Sequence, residues 1–231
     1  MVWRNLILIF SYRIPYNRLI NPTLDVLVQM AQLPVVYKTW RKEAWDFFLD
    51  LRFFAMSASN CNRWYSIVAT ILRNEKDKLE DVLGRISAAP AGIFTSKDQE
   101  AILRAHMLRK LTYVLFCGER DQFQPQLPAI QEKLVDVLKQ SSNISHAEAF
   151  FCLRVMLLRI SPRHLANFWP VVLSELMDVL NNALTSPPTN KDGLAIFLQA
   201  CKFLDMLLIL AFEDFQLCVL SYTWLNNSNS C

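Results

Sequence analysis

Glycine is almost missing from this chain: four residues in 231, at 84, 92, 118 and 193, never two together. No G-x-x-x-x-G-K-[ST] loop, G-x-G-x-x-G turn or G-x-S-x-G elbow can be assembled from them, which disfavours nucleotide chemistry and elbow-type acyl transfer. Histidine is scarcer still. The three, at 106, 146 and 164, form neither H-x-x-x-H nor H-E-x-x-H. Six cysteines, at 61, 117, 152, 201, 218 and 231, never make C-x-x-C, and gaps of 56, 35, 49, 17 and 13 residues suit reduced, mostly buried thiols better than a disulfide framework or zinc site. No metal and no cofactor are expected.

Long runs of one charge are lacking too. The net charge is +3. Residues 1 to 144 carry 19 Lys/Arg against 14 Asp/Glu, leaving +5, and residues 145 to 231 carry five against seven, leaving −2. Bases and acids interleave, as in Arg73-Asn74-Glu75-Lys76-Asp77-Lys78, a pattern that reads as a solvated helix start and not as a nucleic-acid footprint. Adjacent carboxylates such as Glu80-Asp81 and Glu213-Asp214 diverge by about 100° on a helix and cannot converge on one bond. Cys117, Cys152 and Cys201 sit in apolar helical stretches, so they read as inert thiols, not as nucleophiles activated by a histidine. The chain is not expected to be an enzyme.

Apolar side chains are plentiful. They make up 53% of the residues, with fifteen Phe, six Trp and a mean hydropathy of +0.19. That is more than a small sphere easily hides, so part of this surface is expected to meet other protein. The start, Asn5 to Phe10, imitates a signal peptide but lacks a small-residue cleavage site and runs into Arg13, Pro15 and Arg18. The stretch from Met206 to Leu225 is broken by Glu213-Asp214, so no transmembrane span is expected. These features predict a cytosolic protein, or one peripheral to a membrane.

Apolar spacing predicts helices over residues 23 to 32, 40 to 54, 61 to 73, 75 to 87, 97 to 117, 127 to 140, 145 to 160, 163 to 182 and 192 to 211. Asn60, Ser145 and either Thr95 or Ser96 are the expected N-caps, Gly84 and Gly118 lie near helix ends, and Pro187-Pro188 breaks the chain. Period-two alternation is scarce. The sequence also echoes itself: Pro128-Ala129-Ile130-Gln131-Glu132-Lys133-Leu134-Val135-Asp136-Val137-Leu138 aligns with Pro170-Val171-Val172-Leu173-Ser174-Glu175-Leu176-Met177-Asp178-Val179-Leu180 at an offset of 42 residues. Further Asp-Val-Leu triplets occur at 25 to 27 and 81 to 83. Paired helices recurring every 40 to 47 residues are the signature of a HEAT or armadillo solenoid. The fold expected is therefore an all-α, HEAT/armadillo-like α-solenoid of antiparallel helix pairs.

Within that frame, Ile130, Leu134, Val137 and Leu138, and likewise Val172, Leu176, Val179 and Leu180, form apolar stripes against a partner helix, with proline in the first turn where its missing N–H costs nothing. Phe150, Phe151, Leu153, Val155, Met156, Leu157 and Leu158 surround their helix, which must be sandwiched between neighbours. Two clusters are candidates for recognition. Arg154, Arg159, Arg163 and His164 could meet an acidic partner or a lipid phosphate, against the plainer reading of helix-end dipole contacts and pairing with Glu148 or Glu175. Trp40 and Trp45, with Phe47, Phe48, Phe53, Phe54 and Trp64, could line a groove, against the plainer reading of a filled seam between repeats.

Several ordered segments resemble one family. They are Thr39-Trp40-Arg41-Lys42-Glu43, Asp121-Gln122-Phe123-Gln124 with Leu127 to Val135, Leu157 to Leu165 with Phe168-Trp169-Pro170, and Ala200-Cys201-Lys202-Phe203-Leu204-Asp205. Together they are similar to the carboxy-terminal part of the Dopey proteins over residues 39 to 217, with 1 to 38 as partial leading helices and 218 to 231 as a divergent tail. The resemblance implies a non-catalytic scaffold in transport between endosomes and the Golgi, cytosolic and peripheral to trans-Golgi network and endosome membranes. It implies a large Sec7-related scaffold protein as partner, with an aminophospholipid flippase or kinesin light chain as others, and it carries over no catalytic residue. The competing expectation is an adaptor that binds an anionic phosphoinositide surface directly through basic residues.

Overall fold

The computed structural model describes residues 17–87, 96–140 and 144–210. Among these residues the regular elements are all helical. The α-helices are α1 Asn17–Ala31, α2 Tyr37–Leu49, α3 Ala58–Asn74, α4 Lys78–Ser87, α5 Lys97–Cys117, α6 Leu127–Leu138, α7 Ile144–Arg159, α8 Trp169–Thr185 and α9 Lys191–Leu210, joined in places by single 3-10 turns. The chain divides into two compact units, Met1–Asp81 and Val82–Cys231, with the boundary inside α4.

In the first unit α1 packs along α3, and Arg63 of α3 forms an ion pair with Asp25 of α1. α2 and α3 are joined through aromatic rings. Phe48 and Phe53 meet at 5.0 Å, Phe53 and Trp64 at 5.4 Å, and Phe47 and Trp64 at 5.2 Å, the first two pairs edge-on, a geometry that suits the ring quadrupoles. One rim of this nest is polar. The Tyr37 hydroxyl donates to Glu75 at 2.8 Å, Arg41 and Lys78 pair with the same carboxylate, and the Trp45 indole N–H donates to Asp81 at 2.9 Å. Burial and the Glu75 hydrogen bond hold the Tyr37 proton well above the ordinary phenol range.

The second unit carries the repeat. Its long helices start at 97, 144 and 191, each 47 residues after the last, and its shorter ones at 127 and 169, 42 apart. α7 packs against both α5 and α9. α5 and α7 run in the same direction: the Ser145 hydroxyl near the start of α7 donates to the Ala101 carbonyl near the start of α5, while Arg159 at the end of α7 reaches the Phe116 carbonyl at the end of α5. Farther along, Arg154 donates to Gln199 of α9 at 3.0 Å. α6 and α8 contact each other and the long helices, forming the second layer. Long and short helices recurring at this spacing make the unit solenoid-like.

α7 explains the layering. Eleven of its sixteen residues are buried, and only a narrow strip around Leu158 is open to water. It carries both polar and apolar burdens inside. Glu148 pairs with Arg109 of α5, whereas His146 is 3% exposed and neither ring nitrogen has a hydrogen-bond partner. The His146 ring lies 5.7 Å from Phe150, which in turn lies 5.9 Å from Phe203 of α9.

Several boundaries differ from the sequence-based expectation; the helix expected over 40 to 54 runs instead from Tyr37 to Leu49, with a separate 3-10 turn at Phe53–Ala55. α1 starts at Asn17 and runs through Pro22; the proline removes one intrahelical hydrogen bond, and burial of Leu24, Leu27 and Met30 holds the helix despite that loss. The helix expected from 163 begins at Trp169, after two 3-10 turns, because Pro170 fits only the first turn. Ser57, not Asn60, caps α3, its hydroxyl accepting from the Asn60 N–H. Ser145 lies inside α7 and spends its hydroxyl on α5 instead of capping its own helix. Ser96 does cap α5, in a reciprocal box with Gln99. α9, with 20 residues, is long and apolar enough to cross a membrane by length and composition alone, which the sequence reading did not find; one of its faces buries Ile196, Ala200, Phe203 and Leu207.

Two outcomes follow from α7. Phe150→Ala is expected to lower unfolding free energy by about 3–5 kcal/mol, as large core truncations do. Leu158→Ala on the same helix, where the side chain is 53% exposed, should change it by less than about 1 kcal/mol; urea titrations of both variants check this. His146 should make the fold acid-sensitive. Burial holds its folded-state pKa below the ordinary imidazole value, near 6.5 when free, so its contribution is full above about pH 6.5 and is lost as the pH falls through the lower folded value. Thermal midpoints measured between pH 7.5 and 5 should fall less steeply in His146→Leu than in the parent chain.

Candidate functional site

The turns that follow α5 and α7 lie side by side along one edge of the second unit. α5 ends at Gly118, where a β-carbon would run into the Phe123 ring. Three residues on, Asp121 takes φ 59°, and it is the one non-glycine residue with positive φ among those described. Aspartate tolerates this region better than most residues because its short polar side chain can bond nearby. Here the partner belongs to the next repeat. Asp121 Oδ1 accepts the Ser161 N–H at 2.7 Å, Oδ2 accepts the Ser161 hydroxyl, and the Asp121 N–H donates to the Arg159 carbonyl at 2.9 Å. Ser161 in turn stands at the N-cap position of the 3-10 turn Pro162–His164, where its carbonyl accepts the His164 N–H. The Ser161 hydroxyl and N–H, aided by the charges of His164 and Arg120, keep the Asp121 carboxyl below the usual range.

The candidate residues separate by what they touch. Arg159 donates to the Phe116 carbonyl and stacks over the Phe116 ring at 5.0 Å, so it closes the end of α5. Arg154 bridges α7 to Gln199 and lies 5.8 Å from the Phe151 ring. Neither arginine pairs with Glu148 or Glu175: Glu148 is taken by Arg109, and burial, with Asp178 nearby, raises the Glu175 pKa. Arg163 is exposed, and its Nε donates to His164 Nε2 at 3.2 Å. With Arg120 beside Asp121, these two form a small basic edge. Trp40 and Trp45 are buried within the first unit, Trp40 against Tyr37 and Trp45 against Phe48.

Reactive chemistry has little to work with among the described residues. Cys117 and Cys152 are buried, and burial pushes the Cys152 thiol up to about 12 and the Cys117 thiol higher still, so neither is a thiolate at neutral pH. No group of three or more His, Cys, Asp and Glu side chains gathers in metal-binding geometry among the described residues. A cavity of about 120 Å³ lies between α8 and α9, lined by Val179, Asn182, Ser186, Gly193 and Phe197 among others, small beside the roughly 300–1,000 Å³ of ordinary ligand pockets. The stripe expected on α8 is complete only at Val172 and Leu176; Val179 and Leu180 are half-buried.

A second surface feature is apolar. α9 buries one face through Ile196, Ala200, Phe203 and Leu207, and on the opposite face Leu194, Leu198, Leu208 and Ile209 are exposed. Exposed leucines scattered singly are ordinary, but a stripe along about 23 Å of helix is an interaction surface in form. Spacing alone did not reveal it, because α9 reads as apolar all round.

The inter-turn tie is testable. Asp121→Ala should cost about 1–2 kcal/mol at pH 7, the usual worth of hydrogen bonds to a partly exposed charged group. Because the folded-state pKa of Asp121 is depressed, its contribution is present above about pH 4, the unfolded aspartate value, and is lost as the pH falls through the lower folded value. The gap between variant and parent should therefore close in urea titrations carried from pH 5 towards pH 2.5.

Comparison with known proteins agrees with the architecture. A family profile described as DOP1 C-terminal matches residues 5–225. The chain is 35% identical over 159 residues to Protein DOP1 homolog of Drosophila melanogaster, covering 67% of this chain and 6% of that protein. It is 31% identical over 210 residues to Protein DOP1B of Mus musculus, covering 78% and 9%, and 30% identical over 220 residues to Protein pad-1 of Caenorhabditis briggsae, covering 89% and 9%. It thus spans less than a tenth of the length of these relatives. No solved structure matches. Helical repeats whose turn and long-helix segments carry the resemblance, together with a profile match across most of the chain, place it in the Dopey, or DOP1, family, as a portion of its C-terminal region.

Proposed function

We propose that this chain is a non-catalytic scaffold segment in vesicle-mediated protein transport between endosomes and the Golgi, cytosolic and peripheral to trans-Golgi network and endosome membranes. Family membership supports the process, and one observation carries the binding role: the apolar outer stripe of α9, held rigid from behind by α7 and α8. A passive surface of this kind gains affinity from a few aliphatic anchors ringed by polar groups. Lys202 and Asp205, both exposed, supply polar groups on the same helix. The partner proposed for the stripe is the large Sec7-related Golgi scaffold, with an aminophospholipid flippase and kinesin light chain as further assemblies of the complete protein.

A second reading rests on the basic edge. Arg120 and Arg163 are exposed where the two turns meet, with half-buried His164 beside them, and could contact an anionic phosphoinositide headgroup; each basic residue near such a surface is worth about 1 kcal/mol.

One experiment separates the two. Purified Sec7-related scaffold is titrated with the chain and with Leu194→Glu/Leu198→Glu, and the same proteins are floated with vesicles with and without phosphatidylinositol 4-phosphate. The scaffold reading expects at least tenfold weaker protein binding by the double variant, about 1.4 kcal/mol, and no flotation. Scaffold binding that is absent, or indifferent to the stripe, overturns it. Salt-sensitive flotation lost in Arg120→Glu/Arg163→Glu would establish the membrane reading instead.

A further inference from the structure

Serine or threonine precedes proline at two places in this chain, Ser161-Pro162 and Ser186-Pro187. In sequence the two are equivalent minimal sites for proline-directed kinases, which select proline after the acceptor and need the acceptor segment extended and free of other partners. The fold makes them unequal. At Ser161 the hydroxyl and the N–H both bond to the Asp121 carboxylate. Ile160 before it and Leu165 after it are buried, so presenting Ser161 means breaking the tie between the two turns and unseating two core side chains.

Ser186 stands free of such ties. It follows the last turn of α8 with φ −142° and ψ 88°, outside the helical region, and its N–H donates to the Asn182 carbonyl while its hydroxyl bonds to none of the described residues. The residues around it are open: Leu184 is 82% exposed, Thr185, Ser186 and Pro187 are exposed, and so are Thr189, Asn190, Lys191 and Asp192. Pro187-Pro188 prevents this link from continuing α8, which keeps the acceptor extended.

We propose that Ser186 is a phosphorylation site for a proline-directed serine/threonine kinase using ATP. The Ser186 hydroxyl oxygen attacks the γ-phosphorus, an O–P bond forms, the bond to the β–γ bridging oxygen breaks, ADP leaves, and the hydroxyl proton passes to the kinase's base. The product places about −1.5 to −2 charges at the C-cap of α8, where the helix dipole is already negative. Ser186 shares the small α8–α9 cavity with Gly193 and Ile196. The new charge therefore enters the joint that seats α9.

The test uses the 231-residue chain, a cyclin-dependent or mitogen-activated kinase, ATP, and mass-spectrometric mapping. Phosphate is expected on Ser186 in at least tenfold excess over Ser161. Ser186→Ala and Pro187→Ala should each abolish it, Ser186→Thr should retain it, and unchanged far-ultraviolet circular dichroism should show that all three fold. Modification of Ser161 to the same extent or more, labelling of Pro187→Ala at the parental rate, or no labelling while a serine-proline control peptide is fully modified would overturn the assignment. In the modified chain, amide exchange over Ala183 to Ser186 should quicken severalfold; unaltered exchange would show that the charge does not reach the joint.

Discussion

A helix that is apolar on every side cannot sit on the surface of a single layer, and α7 is such a helix. Its Phe150, Cys152, Leu153, Val155 and Met156 spread over roughly 220° of the helix circumference, so burying them requires neighbours on both flanks and a layer beneath. α5 and α9 supply the flanks, and α6 completes the enclosure. At about 1.5–3 kcal/mol for each large buried side chain, no alternative that exposes one side of α7 competes. The parallel order of α5 and α7 follows, because a chain that returns through the short helix α6 brings the next long helix back in the same direction.

Hydrogen bonds then set the register that burial leaves loose. Apolar contact is non-directional, and two leucine-rich helices could slide by a turn at modest cost. The ties across the α5–α7 seam sit at sequence separations of 44, 39, 43 and 40 residues, from Ser145 to Ala101, Arg109 to Glu148, Arg159 to Phe116 and Asp121 to Ser161. Each uses a polar group that would be costly to leave unpaired at a buried or half-buried seam. The arginines of α7 are therefore structural in large part, and the basic character left for recognition lies at Arg120, Arg163 and His164. The same logic separates the two serine-proline steps: one serine is consumed in a register tie, the other is not.

Much of this was legible from residues alone. The 42-residue echo between Pro128-Ala129-Ile130 and Pro170-Val171-Val172 points to helix starts because proline fits a first turn at no hydrogen-bond cost, and the structure places both prolines there. The circular distribution of apolar residues on α7 required a sandwich. The aromatic nest around Trp64 was readable as a seam, since rings of that size at helical spacing need each other more than they need a ligand. What sequence spacing missed was mostly polar and long-range. Glu148 and Arg109 are 39 residues apart, and nothing local distinguishes that partner from Arg154 six residues away on the same helix.

Helix content, the pairing of long with short helices and their repeat period are local consequences of 3.6-residue periodicity and of proline placement, so the amino-acid sequence determined them unaided. Tertiary packing decided which charged groups are spent inside and which remain outside. That choice depends on side chains some 40 residues apart meeting across a seam, and periodicity carries no information about such meetings. It also left one face of α9 bare, a fact written in no single residue, because an apolar helix declares that it wants cover but not how many neighbours it will find.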